Sequence, residues 1–275
     1  HLGVRRQRQM CIRDRADTLN MRPKYQILRP LLSFYVYSLL DYININLLFL
    51  SMEKIFIKQG YLGIFLFVSF NLIAFYFYPG GTIIDPSTEG YLFFYNFFSN
   101  LGEWVAKNGE DNAISAYLFN SSMLILAISY GLFYFMFLKI QFRISDNNII
   151  KTLLMITILL SLISFVLVAV FPSENPTFNL HIFFVKAAFR LLFVHSLIQV
   201  YNLFDSQVFG NKIRTVSSVF SFVLFLFILV MEFGPSPFEN NRSLFIQVTS
   251  QKLIVFSIIV YFYFQVKEAL KVRNS

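Results

Sequence analysis

Cysteine is nearly absent: Cys11 is the only one among 275 residues. An intrachain disulfide is therefore impossible, and no cysteine cluster can hold zinc or iron. Histidine is almost as rare, with His1, His181 and His195. The last two are fourteen residues apart, which on one helix means about 21 Å at ~1.5 Å per residue. They cannot share a metal ion, so neither a metal site nor any other cofactor is expected. The pattern argues against multi-histidine membrane hydrolases. Charge is sparse too: Asp, Glu, Lys and Arg make up 14% of the chain. After Met52 no acid falls in the middle of an apolar run. Proton-coupled transport normally needs such a carboxylate, and secondary transporters also need paired broken helices, of which the sequence gives no sign. Proline is missing from these runs, and their only glycines are Gly63 and Gly131.

Positive charge is concentrated at the start. Arg5–Arg15, RRQRQMCIRDR, reads codon for codon as the translation of a transposon-based sequencing adapter, so residues 1–15 are set aside as an artefact. Cys11 and His1 go with them. Residues 16–51 read either as upstream DNA translated in frame or as an extra N-terminal segment, because Asp41 interrupts their apolar run. Met52, opening MEKIFIKQGYLGIFLF, has the form of a natural start, with Met21 the alternative. Residues 52–275 then make up the membrane domain. The formal charge of +8 shrinks accordingly. Residues 1–29 hold eight Lys and Arg against two Asp, and the chain from Met52 carries 15 against 12, a net of +3. No nucleic acid partner is implied; the partners expected are membrane lipids.

What remains is greasy. The chain is 56% hydrophobic and 19% aromatic, with mean hydropathy +0.60, a membrane composition. Six apolar runs, each near the ~20 residues that cross a bilayer, lie at Tyr61–Tyr78, Tyr117–Leu138, Thr152–Phe171, Leu180–Leu203, Val216–Phe233 and Leu244–Val266. The connectors alternate in charge. Lys54 and Lys58 precede the first run, and the long first loop has Lys107 as its only base. Lys139, Arg143 and Lys151 flank the second connector, and the third offers only Glu174. The fourth has Lys212 and Arg214, the fifth balances Glu239 with Arg242, and the tail carries Lys267, Lys271 and Arg273. The positive-inside rule then puts both termini in the cytoplasm, with the first loop outside the plasma membrane. The expected fold is all-α: a polytopic six-transmembrane-helix bundle.

Gly90–Ser122 is the only long stretch that is neither plain span nor short connector. Read as a helix, Asn96, Asn100, Glu103 and Lys107 fall within roughly 60° of one another at about 100° per residue. Tyr91, Phe94, Phe97, Phe98, Leu101 and Trp104 cover much of the rest. A narrow polar stripe on an aromatic body predicts an outer interfacial helix in the first loop. Asn108-Gly109 makes a turn after it, and Asp111 or Asn112 caps the next span.

FYPGGT (Phe77–Thr82), GY…NFFSNLG (Gly90–Gly102), NGEDNAISAYLFN (Asn108–Asn120) and FPSENPTFNLH (Phe171–His181) together resemble one six-span integral membrane family, known as domain of unknown function 998. The resemblance spans nearly everything from Tyr61 to Val266. It implies a membrane-embedded helical fold and brings no established activity. The family usually has Asp where this chain has Asn100, which weakens any role for an acid there.

The fourth run is the unusual one. On a helical wheel His181, His195, Gln199 and Asn202 share a stripe, while Lys186 and Arg190 share the opposite side. Charges at membrane depth face the interior, a cavity or a counter-ion; Glu232 and Glu103 are the available acids, and Lys252 joins them if the sixth span starts late. One reading is an outward-facing polar pocket under Gly90–Trp104, built from Ser99, Asn100, Glu103, His181, Lys186, Arg190 and Glu232, that accepts an anionic or zwitterionic headgroup. The other is that Lys186 and Arg190 snorkel or pair only to fix helix packing. The protein is then lipid-interacting or non-catalytic. The alternative is a lipid-headgroup hydrolase using Ser99, His181 and Glu103, although no nucleophile-elbow glycines surround Ser99.

Overall fold

The computed structural model describes residues 52–142, 147–206 and 208–274. The expectations for residues 1–15 and 16–51 lie outside the described residues, as does Arg143 in the second connector. From Lys54 onward the chain forms one compact unit. Among the described residues, six helices are long and apolar enough to cross a membrane. They are α1 (Met52–Phe77), α2 (Ala113–Gln141), α3 (Asn148–Val170), α4 (Phe178–Asp205), α5 (Asn211–Phe233) and α6 (Asn241–Asn274). The chain is a multi-pass membrane protein with the expected all-α, six-helix architecture. Each apolar run falls within one residue of a helix, and polar flanks with good helix propensity extend several helices beyond the run.

The helix ends follow from local chemistry. Pro79 and Pro172 stand just beyond α1 and α3, where the ring would clash with a continuing helix. Asn147 caps α3 by accepting the Ile150 N–H at 3.2 Å, satisfying one of the donors a helix start leaves open. Asn112 sits at the expected cap of α2 but acts differently: its Nδ2 donates to the Leu101 and Glu103 carbonyls at 3.2 and 2.7 Å. It ties the helix to the loop before it.

Large apolar side chains point outward along the helices. Phe65, Phe222 and Phe256 are 64%, 60% and 65% exposed. Such a surface would aggregate in water but suits a hydrocarbon solvent. Inside, rings supply much of the packing: Phe220 stacks on Tyr261 at 4.4 Å and Phe133 on Phe137 at 5.4 Å. Gly63 lets α1 approach α2 closely, because a Cβ there would lie 2.0 Å from the Ser129 hydroxyl. That approach lets Gln59 donate to the Ser129 carbonyl at 2.8 Å and accept from its hydroxyl at 2.8 Å. Small residues at crossings and interhelical hydrogen bonds are the usual cohesion where lipid is the solvent.

The polar stripe of α4 faces the interior. Gln199 accepts from the Tyr134 hydroxyl at 2.6 Å and donates to Gln141 at 2.8 Å, and Asn202 donates to the same Gln141 oxygen at 2.6 Å. His195 Nδ1 lies 3.1 Å from the Thr157 hydroxyl. These bonds join α2, α3 and α4 at the end of the bundle away from the long loop.

The long first loop departs from expectation. Gly90–Trp104 is not one interfacial helix; its helical part is the short 3-10 helix Phe98–Gly102. The reason lies in the asparagines. Asn96 Oδ1 accepts the Leu92 N–H and Asn100 Oδ1 accepts the Phe97 N–H, each at 2.8 Å. These side chains offer the backbone an alternative to helical bonding. Asn96 Nδ2 also donates to the Gly81 carbonyl at 2.7 Å, knitting the loop's two halves together. Gly81 holds φ +82°, and a Cβ there would lie 2.3 Å from the Asn108 nitrogen, so only glycine fits. The stretch read as an amphipathic helix is a compact cap.

Candidate functional site

The connectors following α3 and α5 meet at one end of the bundle, where the cap, part of the connector following α1, lies against them. The Ser173 hydroxyl donates to Glu103, Val105 N–H to Glu174 at 3.4 Å, and Phe98 N–H to Gln251 Oε1 at 2.8 Å. Between cap, α4, α5 and α6 is a cavity of about 620 Å³, within the ~300–1,000 Å³ range of small-molecule sites.

Its wall mixes rings with convergent polar groups. Phe178, Ile182, Val185 and Phe227 supply much of the apolar surface. Thr82, Ser99, Asn100, Lys107, Ser173, His181, Lys186, Gln247 and Gln251 supply polar atoms. Among the described residues, no carboxylate lines it. Lys107 and Lys186 both do, and their acids stand outside the lining. Glu103 bonds Lys107 at 2.9 Å from behind the wall, and Glu232 bonds Lys186 at 3.2 Å.

Glu103 is 1% exposed and accepts from Asn100 Nδ2 at 2.8 Å as well as from Ser173 and Lys107. Burial raises its carboxyl pKa above the ordinary glutamate value, the largest influence, while Lys107 and the hydrogen bonds pull the other way. It acts as a rivet between the cap and the α3–α4 connector.

His181 Nδ1 lies 2.8 Å from the Phe171 carbonyl. A carbonyl only accepts, so Nδ1 carries the proton and Nε2 is left as the acceptor. Among the described residues, no hydrogen bond joins His181 to Ser99 or to Glu103. The sites inferred from sequence therefore divide. Ser99, Asn100, His181 and Lys186 line the cavity, and Glu103 stands behind it.

Arg190 and Glu232 lie beside the cavity rather than in it. Arg190 reaches Glu232 Oε1 with Nε at 3.0 Å and Nη2 at 2.7 Å, and its side chain is 57% exposed on the outer face. The pairing of Arg190 with Glu232, completed by Lys186, is as the sequence suggested. Lys252 does not join it. α6 begins at Asn241, so Lys252 sits about three turns inside that helix. Its ammonium is enclosed by Phe98, Tyr91, Phe93 and Phe75, at 3.7, 4.7, 5.2 and 5.9 Å from the ring centroids, and it donates to the Tyr91 hydroxyl. This cation–π cage fastens the cap to α6.

Sequence reasoning missed Gln247 and Gln251. Their spacing of four places both on one helix face, and polar amides in an apolar run are the signal that could have found them. Gln247 Nε2 donates to the Val230 and Pro235 carbonyls at 3.0 and 2.9 Å, satisfying the end of α5. Compared with family models, curated proteins and solved structures, the chain matches none.

Proposed function

We propose that this protein binds a membrane lipid by its headgroup, with the cavity beneath the cap as the receptor for an anionic or zwitterionic group. The observation that carries this reading is the charge of the lining: two lysines face the space, and the two acids that balance them stand outside it. Adding Arg190, the local formal balance is three cations against two carboxylates. Ammonium groups, a hydroxyl at Ser99 and amides at Asn100 and Gln251 suit a phosphate-bearing group.

The connector charges support an outward-facing cavity and cytoplasmic termini, and the family resemblance supports a bacterial or archaeal plasma membrane. Cysteines introduced at Gly109 and Asn147 should then label from opposite sides of intact cells, Gly109 from outside; labelling of both from one side contradicts that orientation. The quoted motifs support a place in the family known as domain of unknown function 998. The hydrolase reading draws less support, because His181 and Glu103 are each engaged with other partners.

Binding of the water-soluble hexanoyl glycerol 3-phosphate to the purified protein tests the proposal. Lys186→Gln should weaken it about tenfold, the loss of a charge-assisted contact worth about 1.4 kcal/mol. Equal binding by the variant would remove the cavity's role.

A further inference from the structure

We infer that the cavity continues into a shaft for a single lipid tail, so that the ligand is a one-chain amphiphile. This rests on the headgroup reading above. Two further apolar spaces lie beneath the cavity, of about 60 and 110 Å³. The upper one, a neck, shares Ser99, Val185 and Gln251 with the cavity, and Phe189 and Val255 with the lower chamber. All six helices contribute to the chamber, which places it on the bundle axis.

The chemistry changes along this line. The cavity sets cations and amides among its rings and aliphatic groups, whereas the chamber wall is rings and aliphatic groups with Ser161 as a minor polar contribution. Ser161 is already engaged, donating to the Ala188 carbonyl at 3.0 Å. Such a space does not hold water, because a water needs polar partners. Left empty, its lining forfeits dispersion contacts. A polar mouth over a dry apolar interior matches a headgroup over a hydrocarbon tail.

The dimensions select one tail of limited length. From His181 at the cavity to Leu192 at the chamber is eleven residues of α4, about 16 Å at ~1.5 Å per residue. That is about half of the ~30 Å hydrocarbon core, the depth of one leaflet. Below, Tyr130 and Tyr261 close the shaft. Their hydroxyls are held by Gln265 at 3.0 Å and Ser217 at 3.1 Å, and their rings pack on Tyr134 and Phe220. The neck is too small for two chains side by side.

The test is a chain-length series: hexanoyl, dodecanoyl and hexadecanoyl glycerol 3-phosphate. Each is presented at equal mole fraction in the same detergent micelles and read by native mass spectrometry of the full chain. Affinity should rise at least tenfold from hexanoyl to dodecanoyl and then level off, because the tyrosine floor stops the tail. Ala127→Phe, which fills the chamber, should lower the dodecanoyl-to-hexanoyl ratio about tenfold, the equivalent of about two methylenes. Equal affinity for all three, with hexanoyl binding still weakened by Lys186→Gln, would overturn the shaft and leave the headgroup site standing. A rise continuing unbroken to hexadecanoyl, unaffected by Ala127→Phe, would mean partition into lipid and also overturn it. Failure to bind any member would overturn the headgroup reading and the shaft with it.

Discussion

Glu232 serves two cations with one carboxylate, Lys186 through Oε2 and Arg190 through Oε1. The Arg190 contact is two-pronged, yet its side chain is 57% exposed, so its contribution must be discounted for screening. A double-mutant cycle of Arg190→Leu and Glu232→Gln should give a coupling of about 1 kcal/mol in thermal unfolding. Additive effects would mean that Arg190 and Glu232 act independently. Glu103 is the opposite case, buried and held by Lys107, Asn100 and Ser173. Burial wins over these partners and raises its pKa in the folded state above the ordinary 4.5. Its contribution to stability is therefore full below the unfolded value and is lost as pH rises through the folded one. The difference in unfolding midpoint between the wild type and Glu103→Gln should move against the wild type as pH rises from about 4 to about 8. A midpoint difference that moves in the wild type's favour over that range would mean Lys107 outweighs burial.

The elements differ in how much the sequence disclosed of them. Spans such as α3 were legible because apolar length alone decides a membrane helix, and Pro79 and Pro172 mark boundaries by a rule that needs no tertiary context. The cap was not legible. The same asparagines that form a stripe on a helical wheel use their side chains to replace helical bonds, and wheel geometry cannot tell the two apart. Asn96 is fully buried and serves both Leu92 and Gly81. Asn96→Ala should cost about 2 kcal/mol by leaving those groups unpaired. It should also expose the cap to protease before the helices unfold, as limited proteolysis would show. Simultaneous loss of cap and bundle would mean the cap has no independent stability. Lys252 was legible as a misplaced charge, but not its partners: Phe75, Tyr91, Phe93 and Phe98 come from parts of the chain remote from α6.

At the scale of the molecule, the cavity is a product of assembly. Ser99, Asn100, His181 and Lys186 could be picked out singly as polar groups near one membrane face. Their convergence depends on a cap whose fold rests on Asn96, Asn100, Glu103 and Asn112. The charge asymmetry of the site likewise emerges only when Glu103 and Glu232 are seen to stand outside the lining. The most direct measurement is native mass spectrometry of the protein gently extracted from its membrane, wild type beside Lys186→Gln. Wild-type protein should carry one phosphate-bearing lipid per chain, and the variant, equally folded, should lose most of it. Wild-type protein that emerges free of lipid, or a variant that retains the same lipid to the same extent, would contradict the headgroup reading.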